Sequence, residues 1–273
     1  MLKKKPKLML HMHQLRDFLD DRYGFYNHFC NGITPVRYRF VQNAFTIGSA
    51  VDFGIKTYYM NKMQDKKPYG DNVLDSDEFK RLPNKIDQTM VMALLDAYIE
   101  IYGSKELYHT FKIENWKVPV SIKKAKHDFL IYTSPDLTAL TYHENKKVII
   151  EIKTSGDEDN TLECLDFQTM TYAWACYKWD FTIPEGVLKR VIMKPRIRQK
   201  KDETISEFQK RLIYTVADAE QEKYFKSTFK PVTLNMIKEF ELYLIEILKD
   251  IDTCMAGGNK YKFWKRTNEY WGV

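Results

Sequence analysis

The spacing of apolar and polar positions changes several times along this chain, and each change marks a segment. Residues 8–30 carry Leu15, Phe18, Leu19 and Phe25 at roughly helical intervals, which predicts one or two amphipathic helices. A second helix is predicted over 44–60, after Thr34-Pro35 and a short extended stretch around Arg37–Val41. Between 61 and 87 the pattern weakens. Lys66-Lys67-Pro68, Tyr69-Gly70-Asp71 and Leu82-Pro83-Asn84 act as breakers, and a long surface excursion is expected there.

A helix is predicted at 88–102, with Met92, Leu95, Ile99 and Tyr102 as its buried stripe. The period then drops from 3.6 to 2, giving strands at 108–115, 126–133, 136–142 and 147–154. A helix at 161–179 and a strand at 187–194 follow. Helices at 203–226 and 234–252 close the pattern, the second with Thr233 as N-cap. Helix, three or four strands, helix, strand is the order of an α/β core wrapped in helices at both ends.

Composition narrows the class. Of 273 residues, 44% are hydrophobic and 29% charged, as expected of a folded globular protein rather than a disordered, collagen-like or disulfide-scaffold chain. Eleven Gly and nine Pro leave no room for a long flexible linker. One domain over 1–273 is expected: an N-terminal helical part to 60, the excursion at 61–87, a core at 88–195, and a basic loop with C-terminal helices over 196–273. No apolar run reaches the ~20 residues that span a bilayer. The basic start, Met1 to Lys7, is not followed by the apolar stretch of a secretory signal. Its lysines are either an arm for nucleic acid or a solvated terminus.

Cys30, Cys164, Cys176 and Cys254 lie far apart without a C-x-x-C pair, so a zinc or iron–sulfur site is not expected. Free thiols suggest a reducing compartment, and a cytoplasmic location is expected. Lys plus Arg outnumber Asp plus Glu by 43 to 37, a net charge of +6 that permits a polyanionic partner without requiring one.

The candidate chemistry lies in Ser134-Pro135-Asp136-Leu137 and in Val148–Thr154, with fourteen residues between Asp136 and Glu151. The interval holds a turn, His143–Lys147, so the segment reads as a β-hairpin. Glu151 and Lys153 share one strand face while Ile150 and Ile152 point into the core. A two- or four-residue loop puts Asp136 on the face of Glu151 and Lys153; a three-residue loop reverses it. Two carboxylates and an ammonium group on one face form either a solvated salt-bridge set or a site for a hard divalent cation. The apolar strand around them favours the second reading, because charge inside such a strand is costly.

These residues resemble a known family. Pro135-Asp136, the fourteen-residue gap and Glu151-Ile152-Lys153 match the PD-(D/E)XK nuclease signature. Gln168 and Tyr172, i and i+4 on the next helix, match the QxxxY motif of the RecB-like branch. The segment Phe45–Asp52 is similar to the helix that ends in a metal-binding His in that branch. Here Asp52 holds the position, and its other reading is an i,i+4 pair with Lys56. The segments from His11 to Arg16 and Arg22 to Tyr26 resemble the branch's N-terminal helix, with His11 and His13 read as terminal histidines rather than ligands.

The resemblance implies an α-β-β-β-α-β core with a mixed sheet, and metal-dependent cleavage of DNA. It implies that Asp136, Glu151, the carbonyl of Ile152 and Asp52 hold Mg²⁺ or Mn²⁺. Lys153 positions the attacking water, and Gln168 and Tyr172 support the site and touch the strand. Several relatives carry an iron–sulfur cluster on one N-terminal and three C-terminal cysteines; this chain lacks that set, so none is expected.

Lys194, Arg196, Arg198, Lys200 and Lys201 put five cations in eight residues after the 187–194 strand, a loop for phosphate contacts or simply a solvated one. Arg22, with Tyr23, Tyr26 and Phe29 nearby, either meets and stacks on nucleic acid or belongs to a buried helix face. The expected function is a phage-type exonuclease or DNA end-processing enzyme for recombination or repair, with a recombination protein or a second copy as possible partner. The alternatives are a structure-specific endonuclease and a non-cleaving nucleic-acid-binding module.

Overall fold

The apolar run Val148–Ile150, with Ile152, lies in the middle strand of a five-stranded sheet. The computed structural model describes residues 5–26, 29, 42–67, 73–103, 106–156 and 164–257. In chain order its first half comprises β1 (Lys7–His11), α1 (Met12–Asp20), α2 (Arg22–Phe25), α3 (Gln42–Lys62), α4 (Asp77–Lys80) and α5 (Lys85–Tyr102). Five strands follow: β2 (Tyr108–Lys112), β3 (Trp116–Ser121), β4 (Asp128–Thr133), β5 (Leu137–Thr141) and β6 (Lys147–Ser155). Then come α6 (Phe167–Asp180), β7 (Gly186–Met193), α7 (Ile205–Ile213), a π-helical stretch Tyr214–Ala219, α8 (Gln221–Tyr224), β8 (Phe225–Pro231) and α9 (Leu234–Gly257).

The large sheet runs β2-β5-β6-β7-β8 and is mixed: β6 and β7 are parallel, the other pairs antiparallel. The parallel pair needs a crossover, and α6 supplies it. Asp166 starts that helix by accepting from the Thr169 amide at 2.9 Å, while Thr169 Oγ1 accepts from the Asp166 amide at 3.0 Å. A smaller sheet, β1-β4-β3, stands beside the large one. The architecture is mixed α/β.

Strand alternation divides the core between the two faces of the large sheet. Val148, Ile150 and Ile152 pack with Val51, Ile55, Leu94 and Tyr98 of α3 and α5. Ile149 and Val187 pack with Trp174 of α6, Ile237 and Leu248 of α9, and Phe129 and Ile131 of the small sheet. Arg190, buried on β7, is matched by Glu106 at 2.9 Å and by the hydroxyls of Tyr59 and Tyr98. Burying a guanidinium requires that kind of partner set.

Several expectations are corrected. The N-terminal segment opens with a strand, because Leu8 and Leu10 extend alongside β4 in parallel register. Most described residues of the 61–87 segment are exposed, but Val73, Phe79 and Leu82 are buried and anchor it, so it is not a loose excursion. The stripe of α5 is centred on Val91, Leu94, Leu95, Tyr98 and Ile101, while Met92, Ile99 and Tyr102 are only partly buried at its margin. The expected 203–226 helix breaks into α7, the π-helical stretch and α8, and two strands, β3 and β8, were not anticipated. The Thr233 cap is present, its Oγ1 accepting from the Met236 amide at 3.3 Å. The extended stretch at 37–41, Thr34-Pro35 and Cys30 lie outside the described residues.

Candidate active site

The β5–β6 hairpin closes through a four-residue turn, Tyr142–Asn145, in which Asn145 takes the left-handed backbone (φ 51°) that asparagine tolerates. The Thr141 amide donates to the Lys146 carbonyl at 3.0 Å, and Leu137 pairs with Ile150 further along. Four residues give the parity that sets Asp136 across from Glu151. At the end of this ladder the Asp136 carboxylate replaces a backbone acceptor: the Ile152 amide donates to its Oδ2 at 2.7 Å.

Glu151 points toward α6, where one turn of helix brings Gln168 and Tyr172 to the same side. Gln168 Nε2 donates to Glu151 Oε1 at 2.8 Å and to the Tyr172 hydroxyl at 2.6 Å, and Lys153 Nζ donates to Gln168 Oε1 at 3.1 Å. Lys153 also pairs with Glu151 Oε1 at 2.7 Å. Both ends of the Gln168 amide are thus used. Burial, with the charges of Glu151 and Asp136, pushes the Tyr172 phenol far above its ordinary pKa, so it stays protonated.

Helix α3 closes the site from the other side. Gly54 lets it approach α5 closely, since a Cβ there would stand 2.5 Å from Leu95 Cδ1. One turn of α3 carries Asp52 and Lys56, and Lys56 Nζ bridges Asp52 at 2.7 Å and Asp136 at 2.9 Å. Burial opposes the Lys56 charge, but Asp136 and Asp52 outweigh it and hold its pKa above the usual lysine value. Burial and the charge of Asp136 raise Asp52 to about 6. The same two causes raise Glu151 to about 8 against the opposing pull of Lys153. Glu151 Oε2 and Asp52 Oδ1 are buried without a hydrogen-bond partner.

These groups line one cleft of about 460 Å³ with Gly48, Ser49, Thr154 and Lys194. Of the expected site residues, Asp52, Asp136, Glu151, Ile152, Lys153 and Gln168 all meet there. Tyr172 stands behind Gln168. In the basic loop, Arg196 reaches the mouth, donating to the Gly156 carbonyl at 2.9 Å, while Arg198, Lys200 and Lys201 face solvent. Lys194, which the loop motif contained but did not distinguish, lines the cleft, and burial lowers its pKa. Arg22 is placed elsewhere: it pairs with Asp250 of α9 at 2.6 Å and covers the Phe18 ring. Tyr26 and Phe29 pack against the core beside it.

Comparison with known proteins leaves the site to speak for itself. No family model matches the chain, and no curated protein matches it. One solved structure, described as "Crystal structure of SSO0001", is 12% identical and aligns over 77% of this chain and 88% of that one with a TM-score of 0.28, too low a similarity to carry an inference.

Among the described residues no three His, Cys, Asp or Glu side chains stand as a ready metal cage, and no helix is long and apolar enough to cross a membrane. The donor chemistry nonetheless suits a hard cation. Carboxylate oxygens are the ligands such ions prefer, Mg²⁺ takes one or two of them, and two buried carboxylate oxygens here lack any partner. Cys164, Cys176 and Cys254 are each buried outside any disulfide, and none of them lines this cleft.

Proposed function

We propose that this protein is a divalent-metal-dependent nuclease that hydrolyses DNA phosphodiester bonds, built on a PD-(D/E)XK core of the RecB-like kind and acting on DNA ends. The observation that carries the reading is a hydrogen-bonded trio, Glu151, Lys153 and Gln168, lining one cleft with Asp136, whose carboxylate accepts from the Ile152 amide. The order of a helix, three strands of the large sheet, the crossover helix α6 and the parallel strand β7 supports this reading, which takes β3 and β4 as an insertion.

Glu151, Asp136, Asp52 and the carbonyl of Ile152 would hold Mg²⁺ or Mn²⁺, which when bound neutralises phosphate charge and acidifies water. The remaining work belongs to the chain. Gln168 fixes the rotamers of Glu151 and Lys153 by bonding both. Lys153, held between them, orients the water that attacks phosphorus and faces the negative charge that builds on the phosphorane-like transition state. Lys56 neutralises Asp52 and Asp136 in the metal-free protein. Lys194 and Arg196, at the wall and mouth, receive the flanking phosphates, which makes binding salt-sensitive.

Labelled linear and covalently closed circular DNA, incubated with Mg²⁺ or Mn²⁺, test this. The proposal expects cleavage of the linear form alone. Cutting of both forms indicates an endonuclease, and binding without cutting of either indicates a nucleic-acid-binding module.

A further inference from the structure

A second cleft, of about 250 Å³, opens where β1 ends, β3 begins and β4 ends. Its lining is of another kind from that of the carboxylate cleft. Five ring-bearing side chains line it, Trp116 and Tyr172 buried, Tyr132 half-buried and His11 and His13 exposed, and no acidic residue does. The His11 ring stacks on His13 with centroids 5.4 Å apart and leans on Tyr132 at 5.1 Å. Lys117 sits over the Tyr132 ring at 5.1 Å, adding positive charge beside the cleft. Thr133, only 6% exposed, is one of the wall residues, and its buried hydroxyl oxygen has no hydrogen-bond partner.

The two clefts share a wall. Tyr172 lines the aromatic cleft while its hydroxyl accepts from Gln168, which lines the other. The end of β4 and the connection to β5 link them along the chain: Thr133 and Ser134 line the aromatic cleft, and Asp136 lines the carboxylate one. Three residues span at most about 10 Å, so the clefts are neighbours on any path a strand takes.

We propose that the aromatic cleft is a subsite for one unstacked nucleobase of the substrate strand, next to the phosphate at the carboxylate site. The assignment rests on the nuclease reading and deepens it. Aromatic rings accept any base by stacking, and Lys117 beside a cleft lined by no acidic residue adds attraction for the adjoining phosphate. A base within a duplex is stacked on both faces, so only a single strand or a frayed end can enter. The cleft therefore selects single-stranded DNA or DNA ends.

The test uses the full chain and short end-labelled single strands carrying one abasic position, moved stepwise from the end. Cleavage is read in Mg²⁺; binding is read separately in Ca²⁺ from the fluorescence of 2-aminopurine placed in the same strands. One abasic register should slow cleavage about ten-fold, and Tyr132→Ala and His11→Ala should each weaken binding by about ten-fold and lose sensitivity to that register. Tyr132→Phe should behave as the wild type, and His11→Ala, at an exposed position, guards against misfolding of Tyr132→Ala. A flat abasic scan with unchanged binding by both variants overturns the subsite while leaving the nuclease reading intact. No cleavage of any strand, with 2-aminopurine binding still dependent on Tyr132 and His11, overturns the nuclease reading and keeps the subsite. Loss of both overturns both.

Discussion

Lys56 of α3 donates to Asp136 across 2.9 Å although eighty residues separate them. The same ammonium group holds Asp52 at 2.7 Å, so two carboxylates that repel one another share one internal cation. Without Lys56 the metal-free protein would hold that repulsion uncompensated. Lys56→Met should therefore lower metal-free stability by about 1–3 kcal/mol, the cost of leaving partly buried charges unpaired. Mg²⁺ should recover more melting temperature in the variant than in the wild type. Equal melting curves for the two proteins without metal would show that Lys56 does not balance the pair.

Asp52 offers a sharper comparison, because its pairing with Lys56 and its place in the cleft predict different outcomes. If Asp52 holds the ion, Asp52→Asn should raise the Mg²⁺ needed for half-maximal activity by about ten-fold or more, since a neutral amide is a poorer ligand for a hard cation. Metal-free stability should hold or rise, as the charge facing Asp136 is gone. A pure i,i+4 partner would instead lose about 0.3–0.5 kcal/mol and leave the Mg²⁺ curve where it was.

The raised carboxyls make metal-free stability depend on pH. A carboxyl whose pKa is higher in the folded than in the unfolded protein contributes most below the unfolded value. Its contribution falls as pH climbs between the two and is level above the folded value. For Glu151 that fall runs from about pH 4.5 to 8, and Asp52 adds to it from about 3.8 to 6. Glu151→Gln keeps the shape and cannot ionise. Its stability relative to the wild type should climb across the Glu151 window by a few kcal/mol, at about 1.4 kcal/mol per pKa unit. Chemical denaturation of both proteins in EDTA at pH 5, 6.5 and 8 measures this, and a constant difference would refute it.

Gly54 sets how closely α3 approaches α5. Gly54→Ala forces a methyl group against Leu95 and should cost about 1–3 kcal/mol, as overpacking a buried contact does. Leu95→Ala should relieve part of that cost, so the double variant should be more stable than the two single losses add up to. Simple additivity would place the contact elsewhere.

What the sequence made legible was local. The hairpin and the shared helix face of Gln168 and Tyr172 follow from periods of 2 and 3.6 over short distances, whereas the parity of Asp136 with Glu151 waited on the loop length, which the Thr141–Lys146 pair fixes at four residues. β6 was legible because its apolar run is dense. β3 was not, since Pro119 breaks the pattern of a ladder-forming strand and is tolerated only because β3 is an edge. β8 is also an edge, and its Lys226, Lys230 and Pro231 blunt it in a way that reads as loop. Lys56 was visible as the i+4 neighbour of Asp52, but its bond to Asp136 depends on how α3 packs, which no local spacing encodes. Arg22 could be read toward nucleic acid for the same reason: Asp250 is 228 positions away.

The most direct measurement is cleavage of end-labelled linear DNA by the wild type and by Lys153→Ala, each in Mg²⁺ and in excess EDTA. The account predicts wild-type cleavage with Mg²⁺ or Mn²⁺ and none in EDTA. It predicts that Lys153→Ala slows the chemical step by about 10²–10⁴-fold, the range of a positioned electrostatic or acid–base group, while binding DNA almost as well. Undiminished cleavage in EDTA, or wild-type turnover by Lys153→Ala, would contradict it.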